Sequence, residues 1–173
     1  MLKIGSEQYA VLDGILHKLS VVMLTNRIAI LLLDGDHLVS SNELCRGLGH
    51  CGVVVNAPVS GLAAEVLRFG KDCSVRGLLK HFGENQLERS YLSAEKPGEE
   101  DRIGFVCCPL RIPFPILAGE STDPDPFGVI YIFGRNFNEQ PNDDDIKLLA
   151  RFADRIAAFL WGSGVTDHLA ANE

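Results

Sequence analysis

No stretch of this chain reaches the ~18 apolar residues that a membrane-spanning helix needs. The apolar run Ile28 to Leu33 is six residues, which is strand length. The N-terminus, Met1-Leu2-Lys3-Ile4-Gly5-Ser6, has no apolar core of signal-peptide length. Clustered positive charge is also missing. Sixteen Lys and Arg are scattered, the longest grouping runs only from Arg76 through Lys80 to His81, and the net charge is −7. Phosphate contacts need clustered cations, so neither nucleic acid nor membrane is an expected partner. The five cysteines are odd in number and irregular in spacing, a poor disulfide framework. Reduced thiols and a cytoplasmic location are the expectation. No G-x-S-x-G nucleophile elbow occurs, and Gly47-x-Gly49 lacks the spacing of a phosphate loop. These absences argue against catalysis and for a non-enzymatic protein.

What is present is an ordinary globular composition: 173 residues, 46% hydrophobic and 23% charged. That length implies one domain, and such a chain buries about 70% of its unfolded surface without staples. Residues 1–162 read as the domain and 163–173 as a small polar tail.

The most informative stretch is the last third. Phe127-Gly128-Val129-Ile130-Tyr131-Ile132-Phe133 reads as a buried strand. After a polar break, Asn142-Asp143-Asp144-Asp145 opens a helix, with Ile146, Leu148, Leu149, Phe152, Ala153, Ile156, Ala157 and Leu160 at helical spacing. Its carboxylates suit the positive N-terminal end of the helix dipole. Gly162 marks its stop. Upstream, Ser6 to Leu24 reads as a first helix with Tyr9, Leu12, Ile15, Leu16, Leu19, Val22 and Met23 on a stripe. Ser6 can cap it, and Asn26 can end it in a left-handed turn. Arg27 to Leu33 is a strand apolar on both faces, and Asp34-Gly35-Asp36 turns it into a partner strand, His37 to Ser41. A further strand is expected at Gly52 to Val55, a turn at Pro58 to Ser60, and a short helix over 62–69 capped by Ser60 and closed by Gly70. Cys73 to Val75 reads as a short strand and Arg76 to Phe82 as a short helix. A polar, acidic loop with a helical turn near Leu87 to Leu92 leads to a strand over Ile103 to Arg111. Its period of two puts Ile103, Phe105, Cys107 and Pro109 on one face and Gly104, Val106, Cys108 and Leu110 on the other. Pro113 to Pro126 contains four prolines, which exclude a regular element for most of it.

This order of elements predicts an α+β fold. A central antiparallel sheet carries the N- and C-terminal helices on one face, and the middle segment covers a ligand-type cavity on the other. The chain resembles the GAF family of small-molecule sensor domains over roughly residues 7 to 161. The residues that carry the resemblance are Arg27-Ile28-Ala29-Ile30-Leu31-Leu32-Leu33-Asp34 and Ser60-Gly61-Leu62-Ala63-Ala64-Glu65-Val66-Leu67-Arg68-Phe69-Gly70-Lys71. Cys108-Pro109-Leu110, Phe127 to Tyr131, and Asp143 to Ala150 with Ile156-Ala157-Ala158 continue it. The resemblance implies a GAF/PAS-like sensor that binds a small molecule or partner and relays the change through its terminal helices. It further implies a homodimer through the first and last helices, as a module of a bacterial-type signalling or transcription-regulatory protein. Three specialisations of the family are not matched. Arg135-Asn136, Pro141 and Asp144-Asp145 stand where cyclic-nucleotide-binding members carry Asn-Lys, Phe and Asp-Glu. His81 lacks the adjacent cysteine of bilin-binding members. Asn56-Ala57-Pro58-Val59-Ser60-Gly61 lacks the cysteine of the sulfoxide-reducing members.

The candidate pocket comprises Cys73, Arg76, Leu79, Lys80, His81, Tyr91, Phe105 and Cys107, with the 73–92 segment as roof and Phe105 and Cys107 as floor. The ligand is a small molecule of unknown identity, and these residues name no cofactor. Arg76 and Lys80 fall on one helix face, if that segment is helical, and could meet an anion or simply water. Cys107-Cys108 is vicinal, and a strand points the two to opposite faces, so a disulfide between them is strained. Cys108 reads as core. Cys107 reads as either a pocket-facing thiol or a small buried hydrophobe. Cys45, His50 and Cys51 are of metal-ligand type, but their spacing is not a common zinc spacing. Two alternatives remain beside the sensor. One is a thiol-based redox sensor or methionine-sulfoxide-reductase-like enzyme using Cys73 or Cys107. The other is a ligand-free dimerisation scaffold.

Overall fold

The computed structural model describes residues 4–25, 27–47, 56–69, 73–76, 104–112, 125–134 and 143–167. Three α-helices and one antiparallel sheet form within them: α1 (Ser6–Val22), α2 (Gly61–Phe69) and α3 (Asp143–Gly162). The strands are β1 (Arg27–Asp34), β2 (His37–Val39), β3 (Cys45–Arg46), β4 (Asn56–Pro58), β5 (Cys73–Arg76), β6 (Gly104–Arg111) and β7 (Pro126–Gly134). Their order across the sheet is β4-β2-β1-β7-β6-β5, with β3 also paired to β1. The α+β reading and the antiparallel sheet are as the sequence pattern predicts. The expected 52–55 strand, the 77–103 segment with its helical turns, and the 113–124 loop lie outside the described residues.

β1 is central because Ile28 to Leu32 are all fully buried, and burial on both faces needs a layer on each side. On one face, Ile28, Ile30 and Leu32 join Val106, Cys108, Leu110, Ile130 and Ile132 under the two long helices. Helix α1 contributes Leu12, Leu16 and Leu19, and α3 contributes Leu149, Ala153, Ile156, Ala157 and Leu160. Each of the leucines, isoleucines and valines contributes roughly 1.5–3 kcal/mol when fully buried. The two helices pack on each other as well as on the sheet. Gln8 fastens their ends. Its Oε1 accepts the Gly5 N–H at 2.8 Å while its Nε2 donates to the Ser163 carbonyl at 2.7 Å. Ser6 is therefore the first helical residue and not the cap expected of it. Gly5 holds the cap position, and the reach-back comes from Gln8.

α3 ends at Gly162, as the sequence reading has it, and Asn26, the expected stop of α1, lies outside the described residues. α1 ends through Met23 and Leu24, and Leu24 takes the left-handed conformation (φ 51°) that was expected of Asn26. A leucine there carries steric strain of roughly 1–2 kcal/mol. α3 includes Gly162, and the left-handed glycine is Gly164 (φ 73°), two residues later. Beyond it, Val165 and Thr166 are buried, Val165 within the helix-face core, so the chain turns back onto the domain after α3. Asp13 and Arg46 (2.8 Å) tie α1 to β3, with His17 Nδ1 3.1 Å from the same guanidinium. This half-exposed pair contributes little by itself.

Short strands close the described edges of the sheet, three residues in β4 and four in β5. Pro58, expected in a turn, sits in β4 opposite His37, and an edge strand is where a residue without N–H is tolerated. Between β6 and β7 the register shifts. Leu110 pairs with Gly128 and Arg111 with Pro126, leaving Phe127 as the extra residue. The bulge turns Phe127 into the helix-face core, where its ring lies 5.4 Å from that of Trp161 on α3. Gly128 is required by proximity and not by its backbone angles. A Cβ there would lie 2.5 Å from the Leu31 carbonyl oxygen and 3.2 Å from Leu32 Cα.

Replacing Gly128 with Ala must therefore push β7 away from β1. Urea unfolding is expected to show a loss of about 1–3 kcal/mol, the range for overpacking a well-filled interior. An unchanged midpoint would mean that the two strands do not approach this closely.

Candidate functional site

The face of the sheet away from α1 and α3 carries a second, smaller core. Ala29, Leu31, Cys107, Val129 and Tyr131 are fully buried, and none belongs to the helix-face cluster. Helix α2 packs against β6 and β7, burying Leu62, Ala63 and Val66. It starts at Gly61, buried and with φ of 65°, a conformation glycine adopts without strain. The Ser60 hydroxyl donates to the Pro58 carbonyl at 3.2 Å at this junction.

One row of register partners runs across five strands of this sheet. Cys45 pairs with Ala29, Ala29 with Tyr131, Tyr131 with Cys107, and Cys107 with Cys73. Residues directly opposite in antiparallel strands share a face and stand about 4.5–5.5 Å apart at Cβ. The row thus carries a cysteine at each end and a third, Cys107, beside a buried tyrosine. Cys108 lies on the opposite face, in the helix core, as alternation along a strand requires.

The sequence-predicted pocket residues separate accordingly. Cys73 and Cys107 are opposite one another, and Phe105, two residues from Cys107 and paired with Val75, falls on the same face by register. Arg76 is not the start of a helix. It ends β5, paired with Gly104, in phase with Val106 and Cys108 and so on the other face. Leu79, Lys80, His81 and Tyr91 lie outside the described residues. Tyr131 is the residue that sequence reasoning missed. The signal was available, because a lone tyrosine in an aliphatic strand, two residues from Val129, marks a polar atom in an apolar layer. His50 and Cys51 of the tested metal set are also outside the described residues, and no group of three or more ligating side chains occurs among the described ones.

At the far end of the row, Cys45 is half-buried. The Ser40 hydroxyl donates to the Ile30 carbonyl at 2.6 Å and lies 3.4 Å from Cys45 Sγ. Burial pushes the Cys45 thiol up, only partly offset by the Ser40 contact. None of Cys45, Cys107 and Cys108 is in a disulfide. No helix among the described residues is long and apolar enough to cross a membrane.

No family model matches the sequence. No curated protein matches it either. Solved structures do. A methyl-accepting chemotaxis protein fragment, residues 122 to 287, superposes with a TM-score of 0.61 at 16% identity, covering 96% of this chain and 93% of that one. The GAF-B domain of DevS from Mycobacterium smegmatis gives 0.57 at 11% identity, covering 95% and 99%. A type II free methionine-R-sulfoxide reductase from Thermoplasma acidophilum gives 0.51 at 12% identity, covering 92% and 93%. The chain has the GAF-domain fold.

The raised Cys45 pKa has a measurable consequence. The folded chain holds this proton more tightly than the unfolded chain, so the associated stability is present below the ordinary thiol range (about 8.5) and falls as pH rises through the raised value. At pH 8, alkylation of Cys45 by iodoacetamide should be slower in the folded chain than in urea, since only the thiolate reacts. Equal rates would show a thiol in ordinary aqueous surroundings.

Proposed function

We propose that this chain is a non-enzymatic signal-sensing module. A small molecule occupies the sheet face away from α1 and α3, near Cys73, Phe105 and Cys107, with Leu79, Lys80, His81 and Tyr91 from the segment that follows β5. The observation that carries the reading is the shared wall. β1, β6 and β7 bury side chains under the terminal helices on one face, and on the other β6 and β7 pack under α2. A ligand that favours one packing on its own face shifts the strands that α1 and α3 rest on. Such a relay needs a difference in affinity between two states. The fold is shared with the methyl-accepting chemotaxis protein fragment and the DevS GAF-B domain, which supports the reading.

The output surface in this reading is a second copy of the chain. On α1, Val11 (51% exposed), Lys18 and Val22 (49% exposed) lie outside the buried stripe and, with Ile15 at its partly buried margin, recur at intervals of four, three and four residues. That spacing suits a helix packing along another helix. The reductase neighbour supports a second reading, an enzyme acting on a sulfoxide, because two cysteines meet in register here.

Native mass spectrometry of the freshly purified chain, beside the same sample denatured, tests the proposal. A dimer carrying a mass excess that is lost on denaturation is expected. The double variant Val11→Glu/Val22→Glu should be monomeric with an unchanged melting temperature. A bare monomer that also binds nothing in a metabolite screen contradicts the sensor, and turnover of free methionine-R-sulfoxide with a dithiol favours the enzyme.

A further inference from the structure

We propose that Cys73 and Cys107 form a reversible intramolecular disulfide, an oxidation site that ties the edge strand β5 to β6 on the sheet face away from α1 and α3. Register carries the proposal. The two residues are direct Cα partners in an antiparallel pair. Such partners stand about 4.5 or 5.5 Å apart at Cα, according to whether the pair is hydrogen-bonded. Disulfides span Cα separations of about 4.4–6.8 Å, so either class of pair is within reach.

The other described cysteines do not compete. Cys108 is the chain neighbour of Cys107, but it is buried in the helix-face core on the opposite side of the sheet. Cys45 lies on β3, separated from β6 by β1 and β7. Three strand spacings amount to roughly 14 Å, well beyond a disulfide. Cys107 is fully buried, so the oxidant that reaches the pair must be small. Hydrogen peroxide fits.

The step balances with that oxidant alone. One thiolate attacks a peroxide oxygen, the O–O bond breaks, and a sulfenic acid and one water form once the leaving hydroxide takes a proton. The second sulfur, giving up its proton, attacks the sulfenic sulfur and displaces the second water. Two thiols thus lose two electrons and two protons, and the peroxide becomes two waters. A dithiol reverses the bond by exchange. The disulfide closes a covalent ring over residues 73–107, which include Leu79, Lys80, His81 and Tyr91. The inference goes beyond the ligand-sensing reading and does not depend on it. A chain that binds no small molecule can still carry this bond.

The test uses the reduced full chain, treated with excess hydrogen peroxide, blocked with iodoacetamide and digested with trypsin without reductant. The expected product joins Asp72–Arg76 to Ile103–Arg111 with the loss of two hydrogens. The link should persist in Cys108→Ala, which leaves Cys107 as the only cysteine on its peptide, and vanish in Cys73→Ser and in Cys107→Ala. The oxidised chain should melt about 10 °C higher than the reduced one, since a ring of this size restricts the unfolded chain, and dithiothreitol should return it. Three outcomes overturn the proposal: no linked peptide after peroxide treatment, a link from Asp72–Arg76 to Cys45 or Cys51 instead, or a link that survives Cys107→Ala. Cys73→Ser keeps the test decisive if Cys107→Ala does not fold.

Discussion

The pairing of β1 with β7 is the constraint on which the rest of this molecule depends. Six Cα partners run from Arg27–Phe133 to Leu32–Gly128, and from Ile28–Ile132 to Leu32–Gly128 both strands are buried on both faces. Two strands in that situation can be stable only if a layer covers each side. α1 and α3 provide one, and on the other face α2 covers β7. The pairing is also close. Gly128 leaves room for the Leu31 carbonyl that no other residue would leave, and the bulge beside it turns Phe127 toward Trp161. One local irregularity in β7 thus sets both the sheet spacing and the seat of α3.

This arrangement explains why the two faces serve different ends. The helix face is filled by Leu, Ile and Ala from long regular elements, a core built for stability. The opposite face is thinner. It carries a nine-residue helix, a buried tyrosine and a row that ends in cysteines, and it adjoins the residues proposed to meet a ligand. Polar and polarisable atoms in a small apolar layer are where binding or modification can change packing at modest cost. The strands between are shared, so a change in one layer alters the support of the other.

Much of the fold was legible from the residues. The stripe of α3, the Leu12, Leu16, Leu19 and Met23 part of the α1 stripe, the doubly apolar β1, the Gly35 turn and the alternation of Cys107 and Cys108 all follow from side-chain period and turn chemistry, whereas Tyr9 and Val22, expected on the α1 stripe, are exposed because they sit at its margins. What was not legible depends on partners distant in sequence. Gly5 rather than Ser6 caps α1 because Gln8 is held by Ser163 at the far end of α3. Pro58 is a strand residue because β2 leaves it an edge position. Arg76 follows β5 into the sheet because β6 pairs with it, although its spacing from Lys80 reads as a helix. The site was legible only in pieces. Cys73 and Cys107 were each suspected, but their juxtaposition is a matter of register, which no local pattern encodes. Tyr131 was passed over because a strand so apolar draws attention to its aliphatic neighbours.

The central claim is that the sheet makes its two layers one cooperative unit. Native-state amide hydrogen exchange on the chain and on Val66→Ala, a cavity placed under α2, tests it most directly. The account predicts that α3 amides from Leu149 to Leu160 lose protection along with those of α2, although no atom was removed from their face. Loss of protection confined to α2, with α1 and α3 unchanged, would contradict it.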